Sequence, residues 1–148
     1  MKSLLTFIFL SVFVSFSHAG GVLRICSEQP TEEKTCDMFS SLNYKYMDSV
    51  FVEENGKMLK KPETTLYFTL LNDEPFGNAG VVIFELYEVM DASTSEYRFI
   101  EQRRLDVQPD WNFSWVKFTF NTKGLYKVRC FVGDTWVAES SIPLWVRE

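Results

Sequence analysis

Histidine is almost missing from this chain. The one residue, His18, lies in the first nineteen positions, which carry the marks of a secretory signal peptide. Lys2 supplies the positive start, Leu4 to Phe16 is an apolar run broken only by Thr6, Ser11 and Ser15, and Ser17-His18-Ala19 puts small residues where a signal peptidase reads. Cleavage after Ala19 is expected, giving a secreted or periplasmic chain with no histidine at all. That excludes Ser–His–Asp and Cys–His nucleophile arrangements and any histidine-bearing zinc site. Cysteine is scarce as well, at three residues, and with two expected in a disulfide an all-thiolate metal site is excluded too. The seven glycines include no loop of the kind that cradles phosphate. No apolar run reaches the roughly 20 residues that span a bilayer, so no membrane span is expected in the mature chain. No stretch repeats apolar residues at helical spacing. The sequence therefore assigns no catalytic residue, no metal and no cofactor, and it does not read as an enzyme.

Positive charge is also in deficit. Lysine and arginine total 15 against 20 acidic residues, a net charge of −5, and removal of the signal peptide takes away one more lysine and no acid. Nucleic acid and anionic lipid are poor default partners for such a chain. The only basic cluster, Lys57, Lys60 and Lys61, reads as a solvated strand end.

Aromatic residues, by contrast, make up 16% of the chain, ample bulk for one core. After the signal peptide, residues 20–43 read as an N-terminal segment with a disulfide loop and residues 44–148 as the folded domain. An exported chain meets oxidising conditions, so cysteine pairing is expected. The polar stretch between Cys26 and Cys36 reads as a loop and favours their pairing, worth about 2–3 kcal/mol on a chain-entropy argument. Cys130 would then stay a buried thiol; the rival arrangement is a Cys130 bridge across the fold.

Strands follow one another between turn signals. Tyr44 to Glu53 reads as one, and Asn55-Gly56 as a tight hairpin turn into Lys57 to Lys60. In Thr64 to Leu71, Leu66, Phe68 and Leu70 share the inward parity. Gly80 to Val89 is apolar on both faces, as an interior strand would be. Tyr97 to Val107 is charged and suits an edge. In Asn112 to Phe120, Val116, Phe118 and Phe120 point inward. The closing hairpin, Gly124 to Val146, places Tyr126, Val128, Cys130 and Val132 on one face. If Trp136, Ala138, Ser140, Ile142, Leu144 and Val146 also face inward, Val132 opposes Trp136 across a three-residue loop, Gly133 to Thr135. Arg129 then faces Glu139, and Ala138 faces Cys130. About seven to nine such strands make an all-β, two-layer antiparallel β-sandwich.

At Gly124-Leu125-Tyr126-Lys127-Val128 the chain resembles the penultimate strand of immunoglobulin-like and fibronectin-like domains of secreted proteins, in which a glycine and then a tyrosine open the strand before a hairpin. The resemblance implies an immunoglobulin-like fold and no function. Val128 stands where antibody domains carry a cysteine, so the antibody-type disulfide is not implied.

Candidate sites are few. Ile83, Tyr87, Phe131 and Val137 would line one outer face if the strand at Gly80 shares a sheet with the closing hairpin, and an apolar patch of that kind suits a protein partner. The alternative is that residues 22–62 fold over it. Trp111 and Trp115, with Phe113, form a second outward set that could stack on the sugar rings of a polysaccharide. Asp106 and Asp110 flank a turn and are the one carboxylate pair that could converge as a small hydrolase would require. Asn72, Asp73, Glu74 and Asn78 crowd one loop with oxygen ligands of the type calcium takes, although turn chemistry alone accounts for them. Asn112-Phe113-Ser114 matches the N-glycosylation pattern. The sequence thus points to an exported, non-catalytic β-sandwich module for protein–protein interaction, with a carbohydrate-binding module as the alternative.

Overall fold

Alternating apolar and polar side chains resolve into ten strands. The computed structural model describes residues 20–31 and 42–147. Within them run β1 (Gly21–Cys26), β2 (Lys45–Tyr46), β3 (Ser49–Glu54), β4 (Lys57–Pro62), β5 (Thr64–Asn72), β6 (Val81–Asp91), β7 (Glu96–Asp106), β8 (Phe113–Phe120), β9 (Gly124–Val132) and β10 (Thr135–Trp145). One sheet has the order β1-β5-β8, a second the order β2-β10-β9-β6-β7, and among the described residues β3 and β4 pair only with each other. Every pairing is antiparallel except β2 on β10. Three strands facing β10-β9-β6-β7 in this order, with the short β2 added beside β10, is the arrangement of an immunoglobulin-like β-sandwich. β1, which lies in the segment expected to precede the sandwich, is itself a strand of it.

The interlayer is filled by the parities read from the sequence. Leu66, Phe68 and Leu70 of β5 and Val116, Phe118 and Phe120 of β8 meet Val82, Phe84 and Leu86 of β6 and Tyr126, Val128 and Cys130 of β9 in one buried cluster. Removing each such large side chain from water contributes about 1.5–3 kcal/mol. Cys130 is the free thiol among the described residues, and burial pushes its ionisation well above the ordinary thiol range. Cys26 is buried and is not a free thiol; Cys36, its expected partner, lies outside the described residues. As the charge pattern predicted, β7 forms an edge, and β6 lies inside its sheet between β9 and β7.

Two expectations about local structure are corrected. The stretch from Tyr44 to Glu53 is not one strand but two, broken at Met47-Asp48. Met47 N donates to Trp145 O at 2.7 Å, which ends β2. Asp48 then turns away, its N–H donating to Thr64 Oγ1 at 2.6 Å and its carbonyl accepting from Glu63 N at 3.0 Å. That clasp closes the base of the β3–β4 hairpin.

The second correction concerns the closing hairpin. Its loop has two residues, not three: Val132 pairs with Thr135 and Phe131 with Trp136. Gly133 has φ +59° and Asp134 does not share it, the sign pattern of a type II′ turn, for which Gly at the first central position is the usual signal. The register then shifts between Trp136 and Ala138, so Val137 is an extra, unpaired residue, a β-bulge. Beyond the bulge the expected register returns, with Ala138 on Cys130 and Glu139 on Arg129. Trp136 therefore points outward and Val137 inward, the reverse of the expectation. Val146 also lies on the surface rather than in the core.

The corner between β8 and β9 shows why Gly124-Leu125-Tyr126 matters. Tyr126 Oη donates to Thr122 O at 2.8 Å, with the ring buried against Phe120 at 4.6 Å between centroids. This is the tyrosine corner of immunoglobulin-like sandwiches. Tyr126→Phe removes the donor and leaves the Thr122 carbonyl without its partner while keeping the ring. A loss of about 1–2 kcal/mol is expected in urea denaturation; an unchanged midpoint would show that the corner is dispensable.

Candidate functional site

The outer face of the five-stranded sheet is built from residues that alternate with the core set. Inward Val82, Phe84 and Leu86 force Ile83, Glu85 and Tyr87 outward on β6, and inward Val128 and Cys130 do the same for Lys127, Arg129 and Phe131 on β9. Pairing aligns these into rows. One row reads Trp136–Phe131–Ile83–Arg104 across β10, β9, β6 and β7. The next reads Glu139–Arg129–Glu85–Gln102, and the third Ser141–Lys127–Tyr87–Phe99.

Charge in the middle of this face is balanced internally. Arg129 Nε lies 3.2 Å from Glu139 Oε2 and Lys127 Nζ 3.6 Å from Glu139 Oε1. The Arg129 guanidinium also sits 5.4 Å from the Tyr87 ring and 5.2 Å from that of Tyr97, within cation–π range. Lys127 Nζ lies 4.5 Å above Tyr97 and donates to its hydroxyl at 3.0 Å. That hydrogen bond, favouring the phenolate, lowers the Tyr97 ionisation from its ordinary value. Tyr87 moves the other way, raised by burial and by its hydrogen bond to Glu85. These groups form a cross-braced lattice with no nucleophile aimed at a cavity.

Apolar surface remains at both ends. At one, Trp136 is 37% exposed beside half-buried Phe131 and Ile83. At the other, Trp145 and Tyr46, paired across β10 and β2, stay exposed beside Leu125 and Pro143 around a groove of about 660 Å³. Of the four residues expected on this face, Ile83, Tyr87 and Phe131 are there. Val137 is not: the bulge turns it into the core at 3% exposure, and Trp136 takes its place. The Gly133-Asp134 dipeptide, as a two-residue turn, was the signal that could have found Trp136. Of residues 22–62, expected in the alternative to cover this face, β1 extends the smaller sheet, β2 adds to the β10 edge, and β3 and β4 form their own hairpin, while residues 32–41 lie outside the described residues.

The other candidates stand apart. Trp115 leans on Tyr67, ring centroids 5.8 Å apart, on the outer face of the smaller sheet, and Trp111 is exposed on the loop before β8. Among the described residues the two make no ring contact. Asp106 ends β7 and Asp110 sits in the turn that follows. In the loop after β5, the Asn72 side chain donates to Glu74 O at 2.9 Å. The described residues contain no group of three or more His, Cys, Asp or Glu arranged to hold a metal ion. They also contain no helix long and apolar enough to cross a membrane.

No family model and no curated protein matches the chain. Among solved structures it is similar to an immunoglobulin-like protein from Pseudomonas aeruginosa, at 13% identity over 67% of this chain and 94% of that one, with a TM-score of 0.34. It is also similar to a β-glucosidase from Listeria innocua, at 12% identity over 86% of this chain and 16% of that one, with a TM-score of 0.40. A mutant of that enzyme in complex with laminaribiose gives a TM-score of 0.41 at the same identity. The chain spans a small part of the β-glucosidase and nearly all of the bacterial immunoglobulin-like protein. By its own strand order and its tyrosine corner, it is an immunoglobulin-like β-sandwich.

Proposed function

We propose that this protein is an exported, non-catalytic module, secreted or periplasmic, that binds another protein through the outer face of its five-stranded sheet. The Cys26–Cys36 bridge belongs to the same reading. The observation that carries it is the row Trp136–Phe131–Ile83, an apolar strip left partly open to water beside a lattice of self-satisfied charges. A face of this make-up offers a partner aromatic anchors and a polar surround that needs little rearrangement. The mature chain offers no histidine to move a proton, which supports binding over chemistry.

Phe131→Glu tests the proposal. Phe131 is half-buried on the outer face rather than in the core, so the variant is expected to fold. A central aromatic anchor is worth about 2 kcal/mol or more in such interfaces, roughly a thirtyfold loss of affinity. Tagged wild type should recover a partner from the exported fraction that Phe131→Glu does not. Equal recovery by both, with folding intact, would end the proposal.

A further inference from the structure

The β3–β4 hairpin is separate from both sheets. Six residues pair with six across Asn55-Gly56, both at positive φ, +53° and +75°, as a type I′ turn requires. Its two faces are open to water: Phe51 is 68% exposed and Met58 63%, and Val52 and Leu59 are exposed on the opposite face. A lone two-stranded hairpin is marginal at best in water, so this arm has apolar surface to cover and, among the described residues, a free edge on either side.

The two edges differ. β4 carries Lys57, Lys60, Lys61 and Pro62, the residues that block strand addition. β3, Ser49-Val50-Phe51-Val52-Glu53-Glu54, has no lysine, arginine or proline, and its pairing with β4 contains no bulge. Across a two-residue turn, Glu54 and Lys57 exchange both backbone hydrogen bonds, as then do Val52 with Leu59 and Val50 with Lys61. Ser49, Phe51 and Glu53 are left with their N–H and C=O groups facing the open edge.

We propose that β3 pairs antiparallel with β3 of a second copy of this chain. The two-fold axis passes at Phe51, so that Phe51 meets Phe51, Val50 meets Val52, and Ser49 meets Glu53 of the other copy. This register joins outward-facing backbone groups to one another at all three positions. A one-residue slip would set them against groups already bonded to β4. The resulting four-stranded sheet, β4-β3-β3-β4, puts the lysines on its outer strands and the apolar residues at its centre. From Ser49 to Glu53 no like charges stand opposite one another, and Glu54 and Asp48, which meet just beyond, are each ion-paired within their own chain, to Lys61 and Lys45, whereas β4 against β4 would bring lysines together. The paired segment is short, below the roughly 1,200 Å² of a stable interface, so the dimer is weak and concentration-dependent.

Sedimentation velocity of the full chain from low micromolar to millimolar concentration tests this. The average mass should rise toward the dimer. Phe51→Lys should shift the association at least tenfold, whereas Met58→Lys, on the same face but the guarded strand, and Phe131→Glu should not. Phe51→Cys should form an interchain disulfide on mild oxidation, since a hydrogen-bonded antiparallel pair sets Cα atoms about 5.5 Å apart, within disulfide reach; Met58→Cys should not. A chain monomeric throughout would overturn the proposal. So would a dimer that survives Phe51→Lys, including one lost in Phe131→Glu, which would place self-association on the sheet face.

Discussion

Val137→Asp is expected to unfold the protein, while Trp136→Asp, one residue earlier, leaves it folded. The contrast follows from the bulge in β10. Val137 is turned into the interlayer against β1, where a Cβ added at Gly21 would come within 3.3 Å of the Val137 Cβ. The pocket that Val137 borders is lined by Asp73 and Glu74 and by no lysine or arginine, so a carboxylate there meets like charge and no cation. Leaving an unpaired charge in a core costs at least about 3–5 kcal/mol, in addition to the lost apolar burial. Trp136 points outward, with its indole N–H donating to Ala138 O at 3.2 Å. Its replacement removes contact with Phe131 and one partly exposed hydrogen bond, a loss of about 1–2 kcal/mol. Urea denaturation followed by circular dichroism measures both. If Trp136→Asp unfolded the domain and Val137→Asp did not, the two-residue turn and the bulge would both be wrong.

Phe68→Ala should be nearly as severe. Phe68 is fully buried on β5, the middle strand of the smaller sheet, between Ile25 of β1 and Val116 of β8. Its ring lies 5.6 Å from that of Phe118 and 6.3 Å from that of Phe120, so truncation opens a cavity where three aromatic rings meet. Phe→Ala in a core costs about 3–5 kcal/mol, set against a total stability of about 5–15 kcal/mol for a domain. Phe68→Ala should therefore lose most of its cooperative transition. Phe51→Ala, on the exposed hairpin, should stay within about 0.5 kcal/mol of wild type at dilution. A loss below about 1 kcal/mol at Phe68 would mean that the interlayer is not packed around this ring.

Where strands alternate cleanly, sequence and structure agree residue by residue. Leu66, Phe68 and Leu70, then Val116, Phe118 and Phe120, then Tyr126, Val128 and Cys130 are all inward, because a period of two leaves no other way to bury them. Arg129 faces Glu139 as expected. The reading failed where a strand departs from that period. Parity carried through Val137 assumes one residue per pleat, and a bulge breaks the assumption at the end of the strand that decides which aromatic joins the outer face. It failed again at Met47-Asp48, where local composition is strand-like throughout and only the clasp to Thr64 and the bond to Trp145 divide the segment between two sheets.

The sequence by itself determined the class of the fold, most of the core, the tight Asn55-Gly56 turn and the single histidine at residue 18, because these follow from local periodicity, turn chemistry and composition. The tertiary structure decided that Trp136 rather than Val137 joins Phe131 and Ile83 outside, and that β1 joins the smaller sheet and β2 the edge at β10. It also set β3 and β4 apart from the body. Such outcomes depend on which strands become neighbours and how a two-residue loop is reconciled with a core of set register, and no single segment carries that information.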